Sequence, residues 1–276
     1  MPKKSFLTTN WIIFSIITLG IAEILTQLVV VREFLSIFYG NELVIGIILA
    51  NWLLISGAGS YAGKKAASVL EKERLLIVFH IIVAFLLTAY IYVIRSLYSF
   101  AFTRGELVGV TGIFLAAFLI LLPICFITGF SLPLFSILYS RRKRPEQVGK
   151  VYFFDSLSNI IGGLLFSFVL IYILDAFQIA LVVLVVDLFA AMLISTRLKR
   201  HAFAFASAVL LIVGVCVFAS VDLDLRSTQG QYPGQSVAFM QDSVYGRYVV
   251  TRTADQLNFF ENGIPLFSTD DVISNE

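Results

Sequence analysis

The sequence predicts an all-α polytopic membrane helix bundle of about seven transmembrane helices, followed by a small antiparallel β meander. Three observations predict it. Of the 276 residues, 59% are hydrophobic and only 14% are charged, where soluble domains carry about a quarter charged residues. Seven apolar segments reach the roughly 20 residues that a helix needs to cross a bilayer. From Ser236 onward the hydrophobic period changes to two, the period of a strand.

The chain starts "MPKKSFLTTNWIIFSIITLGIAEILTQLVVV". The apolar run is too long for a signal peptide and no A-x-A-like cleavage site follows, so it reads as a first span over 11–31. The next two spans are 43–63 and 75–94. Within the second, "SGAGSYAG" reads as close helix packing, because it lacks the lysine and the strand–helix setting of a phosphate loop. The fourth, 107–139, is overlong and carries Pro123, Gly129 and Pro133, which predicts a kinked or broken helix. Spans at 151–174, 177–195 and 202–221 complete the set. Residues 1–222 therefore form a transmembrane domain, 223–235 a linker and 236–276 the β element.

Basic residues segregate between the loops. One set of alternate loops holds Lys3 and Lys4; Lys64, Lys65, Lys72 and Arg74; Arg141, Arg142, Lys143, Arg144 and Lys150; and Arg197, Lys199 and Arg200. The other set holds Arg32, Arg95 and Arg104. The positive-inside rule then puts the N-terminus in the cytoplasm of a plasma (inner) membrane. Seven crossings put the C-terminal β-domain outside. Basic residues scattered among short loops give nucleic-acid binding no support. Cys125 and Cys216 fall in apolar stretches without metal or disulfide spacing, and read as buried small hydrophobes.

After the turn-rich "DLDLRSTQGQYPGQ", the stretches "SVAFMQD", "GRYVVTRT", "QLNFFE" and "IPLFS" read as four strands. The last two flank Asn262-Gly263, the strongest short hairpin signal. About 40 residues cannot build a stable core alone. The meander therefore belongs with something larger, either another domain or a homo-oligomer formed through the β-domain.

Polar groups at membrane depth are costly and are functional candidates by default. Glu23 and Gln27 share a face of the first helix, with Arg32 at its end. Asn51 lies in the second and His80, read as structural, in the third. Asp155 and Asn159 share a face of the fifth, just before Gly162-Gly163, and Asp187 lies in the sixth. These groups make either a polar pathway or substrate site, or interhelical hydrogen bonds and ion pairs that satisfy one another. Lys150 is close enough along the chain to pair with Asp155. No metal motif, nucleotide motif or nucleophile–base–orienter set is legible.

The tail "DSVYGRYVVTRTADQLNFFENGIPLFSTDDVISNE" resembles the small N-terminal β-domain of spermidine synthases, the polyamine aminopropyltransferases. Ser243, Tyr245 and Gly246 stand in that family's S-x-Y-Q-x-I strand, Asn262-Gly263 in its hairpin, and Asp270, Asp271 and Glu276 in the acidic motif after it. Gly246 replaces the family's Gln, and Ser274-Asn275 its Tyr-His. "VVVREFLSIFYGNELVIGIILANWLL" and "GKVYFFDSLSNIIGGLLFSF" resemble the helical portion of membrane-embedded members. The resemblance implies a protein held in the lipid bilayer, with Tyr245, Asp270, Asp271 and Glu276 toward a polyamine. It also implies decarboxylated S-adenosylmethionine as co-substrate of a Rossmann domain that the family places next. No such domain lies within these residues, so the expectation is a membrane portion that is not catalytically complete. The alternative from the residues alone is a transporter-like bundle for a small cation or amine, with the β element as accessory.

Overall fold

A computed structural model describes residues 10–37, 42–66, 71–101, 109–142, 148–243 and 246–269. The helices are α1 (Asn10–Ile37), α2 (Glu42–Ala66), α3 (Lys72–Ala101), α4 (Val110–Arg142), α5 (Val148–Leu165), α6 (Ala176–Arg197), α7 (His201–Ser220) and α8 (Leu223–Gln231). Helix α5 runs on through a π-helical turn, Phe166–Leu170, into a last α turn, Ile171–Ile173. Seven helices, α1 to α7, are long and apolar enough to cross a membrane. The protein is a multi-pass membrane bundle with a four-stranded sheet at its C-terminal end.

Helix pairs are set by small residues. Helix α2 lies on α4, α1 on α5, and α6 on both α3 and α7. A Cβ at Gly59 would sit 2.5 Å from the Phe126 carbonyl oxygen, and one at Gly63 would sit 2.5 Å from that of Phe130. From the opposite side, Gly129 meets the Ser56 carbonyl. This is the backbone-to-backbone approach expected of "SGAGSYAG". Between α1 and α5, Gly20 makes room for the Ser158 side chain and Gly162 for that of Ile24. Outward positions are apolar: Leu53 is 74% exposed and Phe205 73%, as a lipid-facing surface requires.

Several expectations are refined or corrected. Of the kinked or broken helix expected at Pro123 and Pro133, the broken form is excluded: both lie inside the continuous helix α4. A proline removes a donor from the ladder, and the next N–H, that of Ile124, donates to the Tyr90 hydroxyl on α3, at 3.0 Å. A neighbouring helix thus supplies an acceptor beside the proline. The stretch read as a linker, 223–235, contains α8. The Asp222 carboxylate accepts from the Leu225 N–H at 2.8 Å, an N-cap that nucleates the helix. Cys125 is buried as expected, but Cys216 is exposed, because α7 packs along one side only and Cys216 points off that side.

The strands are β1 (Ser236–Asp242), β2 (Arg247–Thr253), β3 (Gln256–Glu261) and β4 (Ile264–Ser268), antiparallel in the order β1-β2-β3-β4. They coincide with the four stretches read from the period-two pattern. Asn262 and Gly263 have φ of 50° and 77°, the pair of left-handed residues that a type I′ hairpin needs. Along β2, Arg247, Val249 and Thr251 are buried and Tyr248 and Arg252 exposed. The buried face rests on α8, and just past the end of that helix Tyr232 meets Phe260 of β3 with ring centroids 4.8 Å apart.

Candidate functional site

Polar side chains gather in three places. The first is at the junction of bundle and sheet. Arg95 of α3 forks onto Glu33 of α1, with Nε to Oε2 and Nη2 to Oε1 both at 2.8 Å. Its Nη1 donates to Asp224 Oδ1 at 2.5 Å and to Ser227 Oγ at 2.8 Å. The same Asp224 oxygen accepts from Arg247 of β2 at 2.9 Å, and Arg247 also donates to Thr228 Oγ1 at 2.6 Å. Asp224, Ser227 and Thr228 share one face of α8 because they lie three and four residues apart. Burial opposes charge on Asp224, but the guanidiniums of Arg247 and Arg95 outweigh it and hold the carboxyl below the ordinary aspartate range.

Arg32, near the end of α1 and still within its candidate span, donates to the Ser243 carbonyl at 2.6 Å and lies 3.8 Å from Asp242. Beside this junction an open cleft of about 640 Å³ is lined by Asp175, Phe177, Gln178, Phe218, Asp222 and Asp224 among others. Burial, with the negative charges of Asp224 and Asp242, pushes the Asp175 carboxyl up. All three acids already serve the fold: Asp175 caps α6, Asp222 caps α8, and Asp224 bridges the two arginines.

The second gathering is at mid-bundle. Glu23 of α1 is half-buried, on a helix that packs against α5, which carries Asp155. Gln27 lies one turn further along α1, half-buried. Asn159, one turn beyond Asp155, has a buried Oδ1 without a hydrogen-bond partner. Asn51 turns to α4 instead, donating to the Phe114 carbonyl at 3.2 Å. Among the described residues Asp155 makes no ion pair, so the expected pairing with Lys150 does not form there. The described residues also hold no His/Cys/Asp/Glu group suited to a metal.

The third gathering was missed by sequence reasoning. Ser15 Oγ of α1 lies 2.7 Å from His80 Nε2 of α3, and His80 Nδ1 lies 2.7 Å from Asp187 Oδ1 of α6. All three side chains are fully buried. Positions 65 and 107 residues apart carry no spacing signal. The cost of ionisable groups at His80 and Asp187 was the one available hint. The order is that of nucleophile, base and orienter, yet complete burial keeps an ester from the serine.

Tyr245, Asp270, Asp271 and Glu276 lie outside the described residues. Their neighbour Gly246 is described. A Cβ at Gly246 would fall 2.5 Å from the Asn262 side-chain nitrogen, while Asn262 Oδ1 accepts the Arg247 N–H at 2.9 Å. The hairpin asparagine occupies the space that a larger residue at 246 would need.

Fold and junction together define a polytopic membrane protein whose extramembrane sheet is tied to its helices by buried charge. No family model, no curated protein and no solved structure matches the chain.

Proposed function

We propose that this chain is the membrane-embedded portion of a spermidine synthase-like protein, in which the bundle holds the β element of a polyamine aminopropyltransferase at one membrane surface. The supporting observation is the shared carboxylate of Asp224, which joins Arg95 in the bundle to Arg247 in the sheet. Simple anchoring needs only one span, whereas a buried ionic joint fixes the orientation of what the bundle carries. In this reading Tyr245, Asp270, Asp271 and Glu276 meet the cationic amine, and decarboxylated S-adenosylmethionine binds the nucleotide domain of the whole protein. The loop charges orient the N-terminus to the cytoplasm and the sheet to the outer face of the plasma membrane.

The test uses the native gene product in its own membranes, assayed for aminopropyl transfer from decarboxylated S-adenosylmethionine to putrescine. Transfer that falls at least tenfold in Asp270→Asn and Asp271→Asn supports the proposal. No transfer by the folded native product counts against it. Sidedness is read separately, by labelling Ser274→Cys in intact cells with an impermeant maleimide.

One observation favours a second reading. Glu23 and Asp155 lie on the packed helices α1 and α5, and neither has a basic partner among the described residues. Two carboxylates so placed suit transport of a small cation or amine. Glu23→Gln and Asp155→Asn would then abolish uptake or export while expression persists. Unchanged transport in both variants would remove this reading.

A further inference from the structure

Neither reading uses the row Ser15–His80–Asp187. Its members come from α1, α3 and α6, helices that pack on one another. Among the other ionisable groups of the packed helices, Glu33 and Arg95 are committed to each other and Asp224 of α8 to Arg95 and Arg247; Glu23 and Arg32 lie further along α1, Lys72, Glu73 and Arg74 at the start of α3, and Arg197 at the end of α6. His201, on α7 against α6, is exposed at the helix start. The Asp187 carboxylate lies 2.7 Å from His80 Nδ1.

The geometry tolerates two protonation states without moving a heavy atom. With one ring proton, Nδ1–H donates to Asp187 and Nε2 accepts the Ser15 hydroxyl. With a second proton, Nε2–H donates to Ser15 Oγ and the hydroxyl turns away. A serine hydroxyl can serve in both roles, whereas a carbonyl at the same place could only accept. Asp187 Oδ2 is buried and has no hydrogen-bond partner, so it is open to a proton as well.

We propose that Ser15, His80 and Asp187 form an intramembrane proton-binding site. On loading, one proton from water reaches Nε2 and the trio passes from one negative charge to neutrality. On release the same proton returns to water and the Ser15 O–H turns back to Nε2. Ser15 lies five residues from the described start of α1, about 8 Å along the axis, which makes the basic-rich end of the bundle the nearer exit. This site stands independently of the synthase-like reading.

The chain has two histidines, so His201→Gln leaves one imidazole to observe. The whole chain, ring-15N-labelled at histidine in lipid nanodiscs, is followed by NMR between about pH 5 and 8, the range in which imidazoles change charge. The expected result is interconversion of singly and doubly protonated His80, lost in Asp187→Asn, where the ring stays singly protonated throughout. A ring that keeps one protonation state over the whole range in the folded His201→Gln protein overturns the proposal. Covalent capture of Ser15 by a fluorophosphonate also overturns it, since the serine would then be a nucleophile. If Asp187→Asn does not fold, the pH series on the His201→Gln protein decides alone.

Discussion

The Arg95 guanidinium meets the Glu33 carboxylate edge to edge through two bonds of 2.8 Å, with Arg95 only 1% exposed. Such a fork is geometrically exacting and cannot be reproduced by an ammonium. Removing one partner of a buried pair strands the other charge, at a cost of about 3–5 kcal/mol. Arg95→Met is therefore expected to destabilise the protein by about that amount, read by denaturant titration in detergent. Arg95→Lys recovers little of it. Glu33→Leu together with Arg95→Met recovers part, and a full loss in the double variant would show that the pair is not the cause.

Asp224 gives the junction a pH dependence with a definite sign. Its carboxyl sits below the ordinary range, because the effect of Arg247 and Arg95 exceeds that of burial. A carboxyl depressed in the folded state adds stability above its unfolded value of about 4, and that stability is lost as pH falls through the folded value. Docking of the sheet on α8 should therefore be level from neutral pH down to about 4 and weaken below it. Limited proteolysis across a pH series measures this, and weakening that starts near neutrality would assign the effect to another group.

The contact of α2 with α4 allows no added carbon. Gly129→Ala places a methyl against the Ser56 carbonyl, and backbone cannot yield as a flexible side chain can. Overpacking of this kind costs about 1–3 kcal/mol or more. The expected outcome is a lower midpoint of thermal unfolding in detergent, whereas Gly57→Ala, where no atom lies within 4 Å, serves as the neutral control.

Tyr90 is expected to matter because of Pro123. Tyr90→Phe leaves the Ile124 N–H buried without its acceptor, at about 1–3 kcal/mol. In a Pro123→Ala background the helix ladder can close again, and the cost of Tyr90→Phe should shrink. A double-mutant cycle with no coupling would break the link between proline and tyrosine.

The spans and strands were legible because both have a local signature: long apolar runs, and a period-two tail with Asn262-Gly263 at its turn. The small-residue packing of α2 was legible from "SGAGSYAG" for the same reason. What escaped was non-local. Nothing near Asp222 announces that its carboxylate starts a helix in a polar stretch, and nothing near Pro123 names Tyr90 as the rescuer. Arg32, Arg95 and Asp187 could be flagged as costly charges, but their partners lie far off in sequence. The Ser15–His80–Asp187 row exists only because three helices meet, and no spacing encodes it.

The two attachments of the sheet also have a mechanical consequence. Arg32 grips the end of β1 from α1, while Arg95 grips β2 from α3 by way of Asp224 on α8. One stiff body is thus held by two separate posts. If the posts shift in parallel, the body is simply carried along. If they splay or slide past each other, the sheet must tilt or one grip must yield. The sheet is thereby tied to both the first and the third helix.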